Sequence, residues 1–175
     1  MIDGDQRKAA ILAALQQATK PISATSFAKK FGVSRQIVVG DVALLRASGA
    51  TIIATARGYL LERESEKLIS KLAVQHTPEQ TEEELRTIIE QGGEVIDVVV
   101  EHPLYGELVG GLHLATVQDV ATFIKEADSS GVTLLSELTA GIHLHTIAYE
   151  SLEVLTKIKQ ALSEKGILYE ENRHA

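Results

Sequence analysis

The spacing of apolar residues in the first third of the chain is helical. It predicts helices over about residues 6–18, 23–31 or 26–31, and 35–48. Asp5 is the expected N-cap of the first helix and Ser34 that of the third. Two short helices joined by a tight turn that contains glycine, here Gly32, are typical of a helix-turn-helix. Residues 50–62 are then typical of two short strands, one on each side of Arg57-Gly58, and this predicts a two-stranded wing.

Stretches typical of strands and helices alternate in the remainder of the chain. Strands are predicted at 68–75, 94–101, 108–114, 132–135, 142–148 and 167–170, and helices at 77–91, 116–127 and 151–163. Similar Gly-X-His-Leu sequences at 111–114 and 141–144, each before a helix, indicate two βαβ-like repeats. The predicted fold class is therefore α+β, with a winged helix-turn-helix domain followed by an α/β-layered domain whose helices cover one sheet face.

The charged residues divide the chain in the same way. Residues 1–62 hold eight Lys/Arg and four Asp/Glu, whereas residues 63–175 hold nine Lys/Arg and twenty Asp/Glu. We predict a DNA-binding domain over 1–62, a charged linker over 63–71 and a second domain over 72–175. Because only the first domain is basic, we expect that it alone contacts nucleic acid.

The composition excludes several classes of protein. The chain has no cysteine, so it has no disulfides, and any metal site must use His, Asp or Glu ligands. The lack of cysteine also fits a reducing cytoplasm, which is the expected location. No apolar run approaches the roughly 18 residues of a membrane span, and the acidic start lacks the basic residues of a signal peptide.

The predicted helix-turn-helix supplies the candidate DNA-binding residues. The first turn of its second helix enters the major groove, and Ser34, Arg35 and Gln36 lie there. Arginine can bind guanine and glutamine can bind adenine, while Arg57 at the wing tip is expected near a phosphate or the minor groove. Gly40 is unusual, because glycine inside a helix costs about 1 kcal/mol relative to alanine. Residues 5–61 resemble the winged-helix module of biotin-ligase-type repressors, although the chain lacks the Gly/Arg-rich biotin loop of a ligase.

Histidines and glutamates in the second half indicate a metal site. His143 and His145 point to the same face of a strand, with Cβ atoms roughly 6.5–7 Å apart. His76 ends another predicted strand just before a helix. On that helix Glu82 and Glu84 flank the buried stripe on opposite sides, and periodicity does not choose between them. Three histidines and one carboxylate suit nickel, zinc, iron or cobalt.

Three motifs identify a family resemblance. Val-Gln-His at 74–76, Val-Glu-His-Pro-Leu-Tyr-Gly at 100–106 and Gly-Ile-His-Leu-His-Thr at 141–146 resemble the 3H domain, which is named for its histidines. With the winged helix, the whole chain resembles the nicotinate-responsive repressors of NAD biosynthesis and niacin uptake genes. The resemblance implies a homodimer with a divalent metal, most often nickel, with zinc as the alternative. It also selects Glu84 over Glu82, so the implied ligands are His76, Glu84, His143 and His145.

The expected function is a DNA-binding transcriptional repressor that senses nicotinate and binds a double-stranded operator. His102 and Tyr105 either line the effector pocket or, in the case of His102, stabilise the turn that Pro103 and Gly106 indicate. One alternative is a metal-dependent hydrolase or lyase with an accessory winged helix. We expect no enzyme, because the metal-site residues lack a diagnostic spacing such as H-E-x-x-H. Another alternative is a dimeric scaffold with a structural metal.

Overall fold

The computed structural model describes residues 2–170, which form two compact units. The first unit ends at Ser65 and the second begins at Glu66. Within the described residues, no helix has both the length and the apolar character needed to cross a membrane.

The first unit is a three-helix domain with a wing. Its helices are α1 (Gly4–Gln17), α2 (Ala24–Phe31) and α3 (Arg35–Ala47), and its strands are β1 (Ile52–Thr55) and β2 (Gly58–Leu61). Side chains of Ser23 and Ser34 cap α2 and α3. The predicted cap of α1 is wrong: Asp3, not Asp5, forms the cap, because Asp3 and Gln6 satisfy each other's backbone N–H groups in a capping box. The core consists of Ile11, Leu15, Ala24, Phe27, Ala28, Val38, Val42 and Ile52.

The wing is joined to the segment between α1 and α2. Ile22 and Tyr59 exchange two backbone hydrogen bonds, of 3.0 and 2.8 Å, which extend the β1–β2 hairpin by one bridge. Gly58 has a φ of 132°, and a Cβ at this position would lie 2.5 Å from the carbonyl carbon of Ile22. Only glycine satisfies both the backbone conformation and this close approach.

Two cations mark the junction between the units. The Arg63 guanidinium donates to the carbonyls of Gln16 and Ala18, at 2.7 and 3.0 Å, and so caps the C-terminal end of α1. Lys67 pairs with Glu94 and, at 3.7 Å, with Glu150 in the second unit. The predicted linker over 63–71 overlaps the first strand of the second unit, because pairing with the neighbouring strand already begins at Leu68.

The second unit is a four-stranded sheet covered on one face by three helices. Its elements are β3 (Leu68–Gln75), α4 (Thr81–Glu90), β4 (Glu94–His102), β5 (Gly106–Leu114), α5 (Val117–Ser130), β6 (Ile142–Tyr149) and α6 (Leu152–Glu164). The strand order is β3-β6-β4-β5, and each neighbouring pair is antiparallel. The shared core includes Leu72, Val74, Leu85, Ile88, Val95, Leu114, Ile147, Ile158 and Leu162.

The βαβ-like units have different bounds from those predicted. β3-α4-β4 and β5-α5-β6 each connect parallel strands, but one antiparallel strand lies between the two members of each unit. The predicted strand at 132–135 is wrong, because the chain there leads into a 3-10 helix over Leu135–Thr139. The predicted strand at 167–170 is reduced to a single bridge between Leu168 and Val74.

Candidate metal centre and DNA-binding helix

His76, Glu84, His143 and His145 lie together beneath α4. The β3–β6 register pairs Val74 with His143 and Leu72 with His145, so both β6 histidines face the helical layer beside the core of β3. His76 follows the last residue of β3, and Glu84 lies in the first turn of α4. All four residues are buried, and Glu84 is only 1% exposed.

The four side chains direct their ligand atoms at one another. Glu84 Oε1 lies 2.5 Å from His145 Nε2 and 3.3 Å from His143 Nε2, and the two imidazole nitrogens are 3.1 Å apart. Glu84 Oε2 contacts His76 Nε2. Potential metal-ligand atoms of His76, Glu84 and His143 all fall within 4.8 Å of one another. The structure therefore brings Glu84, and not the exposed Glu82, to the histidines.

Hydrogen bonds to backbone carbonyls set the orientation of each imidazole. Nδ1 of His76, His143 and His145 lies 2.7, 2.9 and 2.8 Å from the carbonyl oxygens of Thr77, Gly141 and Asp97, respectively. A carbonyl only accepts, so each Nδ1 carries the proton and donates it. In the neutral imidazoles the Nε2 lone pairs then point at the Glu84 carboxylate.

Such a cluster of acceptors needs a cation. His76 Nε2 and Glu84 Oε2 are buried and have no hydrogen-bond partner among the described atoms. Lone pairs that face one another without a proton or metal between them are costly in a buried site. Carbonyl-oriented histidines with a convergent carboxylate are typical of metal sites, and the arrangement fits one divalent ion.

The pKa values of the cluster show the same preference for positive charge. Burial alone would raise the pKa of Glu84, but the three histidines hold this pKa well below its usual value. Burial alone would lower the pKa values of His76 and His145, yet the adjacent carboxylate of Glu84 raises both. The buried carboxylate thus stays ionised and attracts a cation, either protons on the imidazoles or a metal ion.

A small cavity adjoins the cluster. Its volume is about 40 Å³, which is enough for one or a few water molecules. Apart from the cluster, Thr81 and Ser136, its walls are apolar: they are formed by Leu85, Val98, Leu112, Phe123, Leu134 and Leu135. Leu134, Leu135 and Ser136 come from the chain around the 3-10 helix, so this segment covers one side of the cavity.

His102 and Tyr105 lie elsewhere: His102 is the last residue of β4 and Tyr105 lies in the turn between β4 and β5. His102 Nδ1 accepts hydrogen bonds from the backbone N–H groups of Leu104 and Tyr105, at 3.1 and 3.3 Å. The Tyr105 ring packs near the His102 ring and is 69% exposed. Neither residue lines the cavity at the histidine cluster. This geometry supports the alternative in which His102 stabilises the turn and does not line an effector pocket.

The candidate DNA-binding residues differ in their accessibility. Ser34 Oγ accepts from the backbone N–H of Ile37 at 3.2 Å, so this side chain caps α3. Arg35 and Gln36 are exposed in the first turn of α3. Arg57 occupies the two-residue wing tip as expected, but it is half-buried.

Comparison with known proteins decides the family. Residues 7–60 match the HTH domain and residues 69–171 match the 3H domain. The chain is 37% identical over 166 residues to the probable transcription repressor NiaR of Thermotoga maritima, with 95% of each chain covered. It is 39% identical over 172 residues to the transcription repressor NadR of Bacillus subtilis, with 94% of each covered. The chain belongs to this family of 3H-domain transcription repressors.

Family membership settles the class of function. The two relatives are named transcription repressors, so this 3H-domain repressor is a DNA-binding regulator and not an enzyme. The expected architecture, a helix-turn-helix domain followed by a 3H domain, is confirmed. The metal-dependent hydrolase or lyase is not favoured.

Gly141 is a site residue of the repressor that sequence reasoning quoted in a motif but gave no role. It has a φ of 85°, and a Cβ there would collide with the carbonyl oxygen of His76. The same glycine offers its own carbonyl to Nδ1 of His143. Gly141 therefore allows the backbone at His76 to lie close to the backbone that precedes His143. The only sign of this role in the sequence is that a glycine comes before the histidine pair.

We expect Gly141→Ala to weaken metal binding. Alanine at positive φ costs about 1–2 kcal/mol, and the collision must also displace His76. Gly131→Ala is the matched control, because Gly131 has a φ of 65° and a Cβ there would meet nothing within 4 Å. Thermal unfolding should show a loss of stability in both variants, larger in Gly141→Ala because of the collision, whereas metal titration should show weaker binding only in Gly141→Ala. Equal metal affinities in the two variants would contradict this role.

Proposed function

We propose that this repressor controls genes of NAD biosynthesis or niacin uptake and that nicotinate is its corepressor. The observation that carries the proposal is the buried cluster of three imidazole nitrogens and one carboxylate, oriented by backbone carbonyls. A repressor needs no such cluster for DNA binding, so a regulatory role accounts for it best. The resemblance of the motifs to nicotinate-responsive repressors supplies the identity of the effector.

His76, Glu84, His143 and His145 are the proposed ligands of one divalent transition metal. Three imidazoles and one carboxylate suit nickel, and zinc is the alternative. When bound, the metal would supply a Lewis-acidic position for the carboxylate or ring nitrogen of a pyridine carboxylate. The protein's part is to keep Glu84 ionised and the Nε2 lone pairs directed inward.

The cavity beside the cluster is the proposed effector site. Its apolar walls, with Phe123 among them, suit the faces of an aromatic ring, while the ligand cluster lies at its polar end. At about 40 Å³ the cavity is smaller than a pyridine ring requires. We therefore propose that nicotinate binding displaces Leu134, Leu135 and the 3-10 helix that follows. His102 and Tyr105 would then act only indirectly, through the β4–β5 turn.

We also propose that the repressor is a homodimer that binds a double-stranded operator in the cytoplasm, where chromosomal DNA is accessible. Paired recognition helices bind half-sites about 34–36 Å apart, or a multiple of this distance. The sheet face opposite the helices carries apolar side chains that the described residues leave uncovered, and Ile69 and Val109 are 57% and 59% exposed there. A second copy would cover this face.

On each recognition helix we propose that Arg35 and Gln36 meet the DNA directly. Ser34 would contribute mainly by capping α3, which keeps the N-terminal end of this helix ordered where it meets the DNA phosphate backbone. Arg57 would act from the wing, where its half-buried side chain limits it to contacts close to the hairpin.

Operator binding by the full-length protein tests this function. With one nickel ion per chain, we expect micromolar to millimolar nicotinate to raise the fraction of a selected duplex that the protein retains. Benzoate, which has the carboxylate and ring but no ring nitrogen, is the matched control. Retention that is the same with nicotinate, benzoate and no acid would contradict the effector assignment.

A further inference from the structure

The outward face of α3 carries few hydrogen-bonding groups. The buried residues Val38, Asp41 and Val42 define the side of α3 that faces the core. At 100° per residue, the opposite side lies along exposed residues that are almost all small or apolar. These residues are Gln36, Gly40, Ala43 and Ala47, with Ile37 and Leu44 on one flank.

An ion pair fixes this orientation of α3. Arg7 on α1 binds both carboxylate oxygens of Asp41, with Nε–Oδ2 and Nη2–Oδ1 distances of 2.5 and 3.1 Å. Both side chains are largely buried, so the pair locks the rotation of α3 against α1. Gly40, the neighbour of Asp41, is thereby directed toward solvent.

Nothing within the described residues requires glycine at position 40. Gly40 is not among the residues with positive φ, and a Cβ built on it would meet no atom within 4 Å. Glycine in the middle of a helix nevertheless costs about 1 kcal/mol relative to alanine. Neither the backbone conformation nor the packing of this domain compensates for that cost. A surface that approaches α3 closely from outside would account for the missing side chain.

We propose that Gly40 lets α3 approach the floor of the major groove closely and that α3 recognises A·T base pairs there. The C5 methyl groups of thymine would pack against Ile37, Ala43 and Leu44. The Gln36 amide, on the centre line of the face, would bind the N6 and N7 atoms of adenine. This inference rests on DNA binding by the helix-turn-helix domain and is independent of the metal and of nicotinate.

The absence of charge on the centre line separates A·T recognition from G·C recognition. The commonest contact to guanine uses Arg or Lys. Among the described residues of α3 the arginines are Arg35 and Arg46. Around the helix axis, Arg35 lies about 100° from Gln36 and Arg46 about 100° from Ala47, and both Gln36 and Ala47 lie at the centre of the outward face. These side chains therefore lie nearer the groove walls, where phosphates are their natural partners.

Replacing thymine by deoxyuridine tests the methyl contacts. The full-length protein first selects 30-base-pair duplexes from a random pool, and single thymines of the winning sequence are then replaced by deoxyuridine, which lacks only the methyl group. We expect the affinity, measured by fluorescence anisotropy at fixed salt, to fall about fourfold for each contacted methyl. Deoxyuridine outside the recognised half-sites is the control and should change nothing. If no single replacement lowers the affinity, the proposal is overturned.

Gly40→Ala separates a structural role from one in DNA recognition. Alanine should raise the melting temperature, because it favours the helix, but it should weaken binding to the selected duplex about tenfold by crowding the groove. Binding to an unrelated duplex, which depends on phosphate contacts, should be unchanged. Gly40→Gln should weaken specific binding at least as much. A Gly40→Ala protein that is more stable and binds the selected duplex as tightly as the wild type would overturn the proposal.

Discussion

Replacing His143 and His145 together with alanine should reduce bound nickel from one ion per chain to background. The two side chains supply half of the converging ligand atoms, and their Nε2 atoms lie 3.1 Å apart within the cluster. Loss even of residues that merely orient a ligand typically costs 10–100-fold in metal affinity, so losing two ligands should exceed this range. Metal content after gel filtration and the Kd from a competition titration measure the effect.

The same variant should lose the stabilisation that metal gives the wild type. Metal present at about a thousand times its Kd stabilises the folded protein by roughly 4 kcal/mol, which appears as a higher melting temperature. The double variant should melt at the same temperature with and without nickel. His102→Ala is the control, because His102 is a histidine of the same domain that lies at the end of β4, outside the cluster. Stoichiometric nickel in the double variant would exclude this cluster as the metal site.

Glu84→Gln should weaken metal binding by at least about a hundredfold. The substitution keeps the size of the side chain but removes the buried carboxylate, whose charge the three histidines stabilise and which raises the pKa values of His76 and His145. A neutral amide neither attracts the cation nor replaces a carboxylate as a ligand.

Glu82→Gln is the matched control, since Glu82 lies two residues away on the same turn of α4 and is exposed. Its metal affinity should equal that of the wild type. Circular dichroism of both metal-free proteins checks that α4 is intact. Similar affinities in Glu82→Gln and Glu84→Gln would contradict the proposed ligand set.

The winged-helix domain was largely predictable because its signals are local. Ser34 before α3, Gly32 in the turn and the apolar spacing around Val38 each act within a few residues of the chain. The error at the start of α1 was also local: Asp3 and Asp5 are both good caps, and only the partner Gln6 distinguishes them. The exposure of a side chain is harder to predict, and Arg57 at the wing tip is half-buried.

The candidate metal site was predictable only in part. Alternation in a strand places His143 and His145 on one face, but the choice between Glu82 and Glu84 depended on family resemblance. The β3–β6 register that sets His76 beside His143 could not be read from the local sequence, because it joins strands that are far apart along the chain. The role of Gly141 was likewise hidden, since the atom it avoids belongs to a residue 65 positions away.

The errors at 132–135 and 167–170 have a related cause. Short apolar runs are compatible with strands, but a strand needs a partner edge. β3 is paired with β6, and its outer edge accepts Leu168 as a single bridge. The run at 132–135 instead supplies Leu134 and Leu135 to the cavity beside the candidate metal site. Its apolar character therefore reflects the cavity rather than the sheet.

Nicotinate binding measured by calorimetry, with and without the selected duplex, tests the central claim most directly. If metal, effector and operator are coupled, nickel-loaded protein should bind nicotinate more tightly when the duplex is present. The factor should equal the one by which nicotinate tightens duplex binding, because coupling between two binding sites is reciprocal. In the His143→Ala/His145→Ala protein this factor should fall to one, so that nicotinate no longer changes the affinity for the duplex. Nicotinate binding that is unaffected by the duplex in fully nickel-loaded wild type would contradict the account.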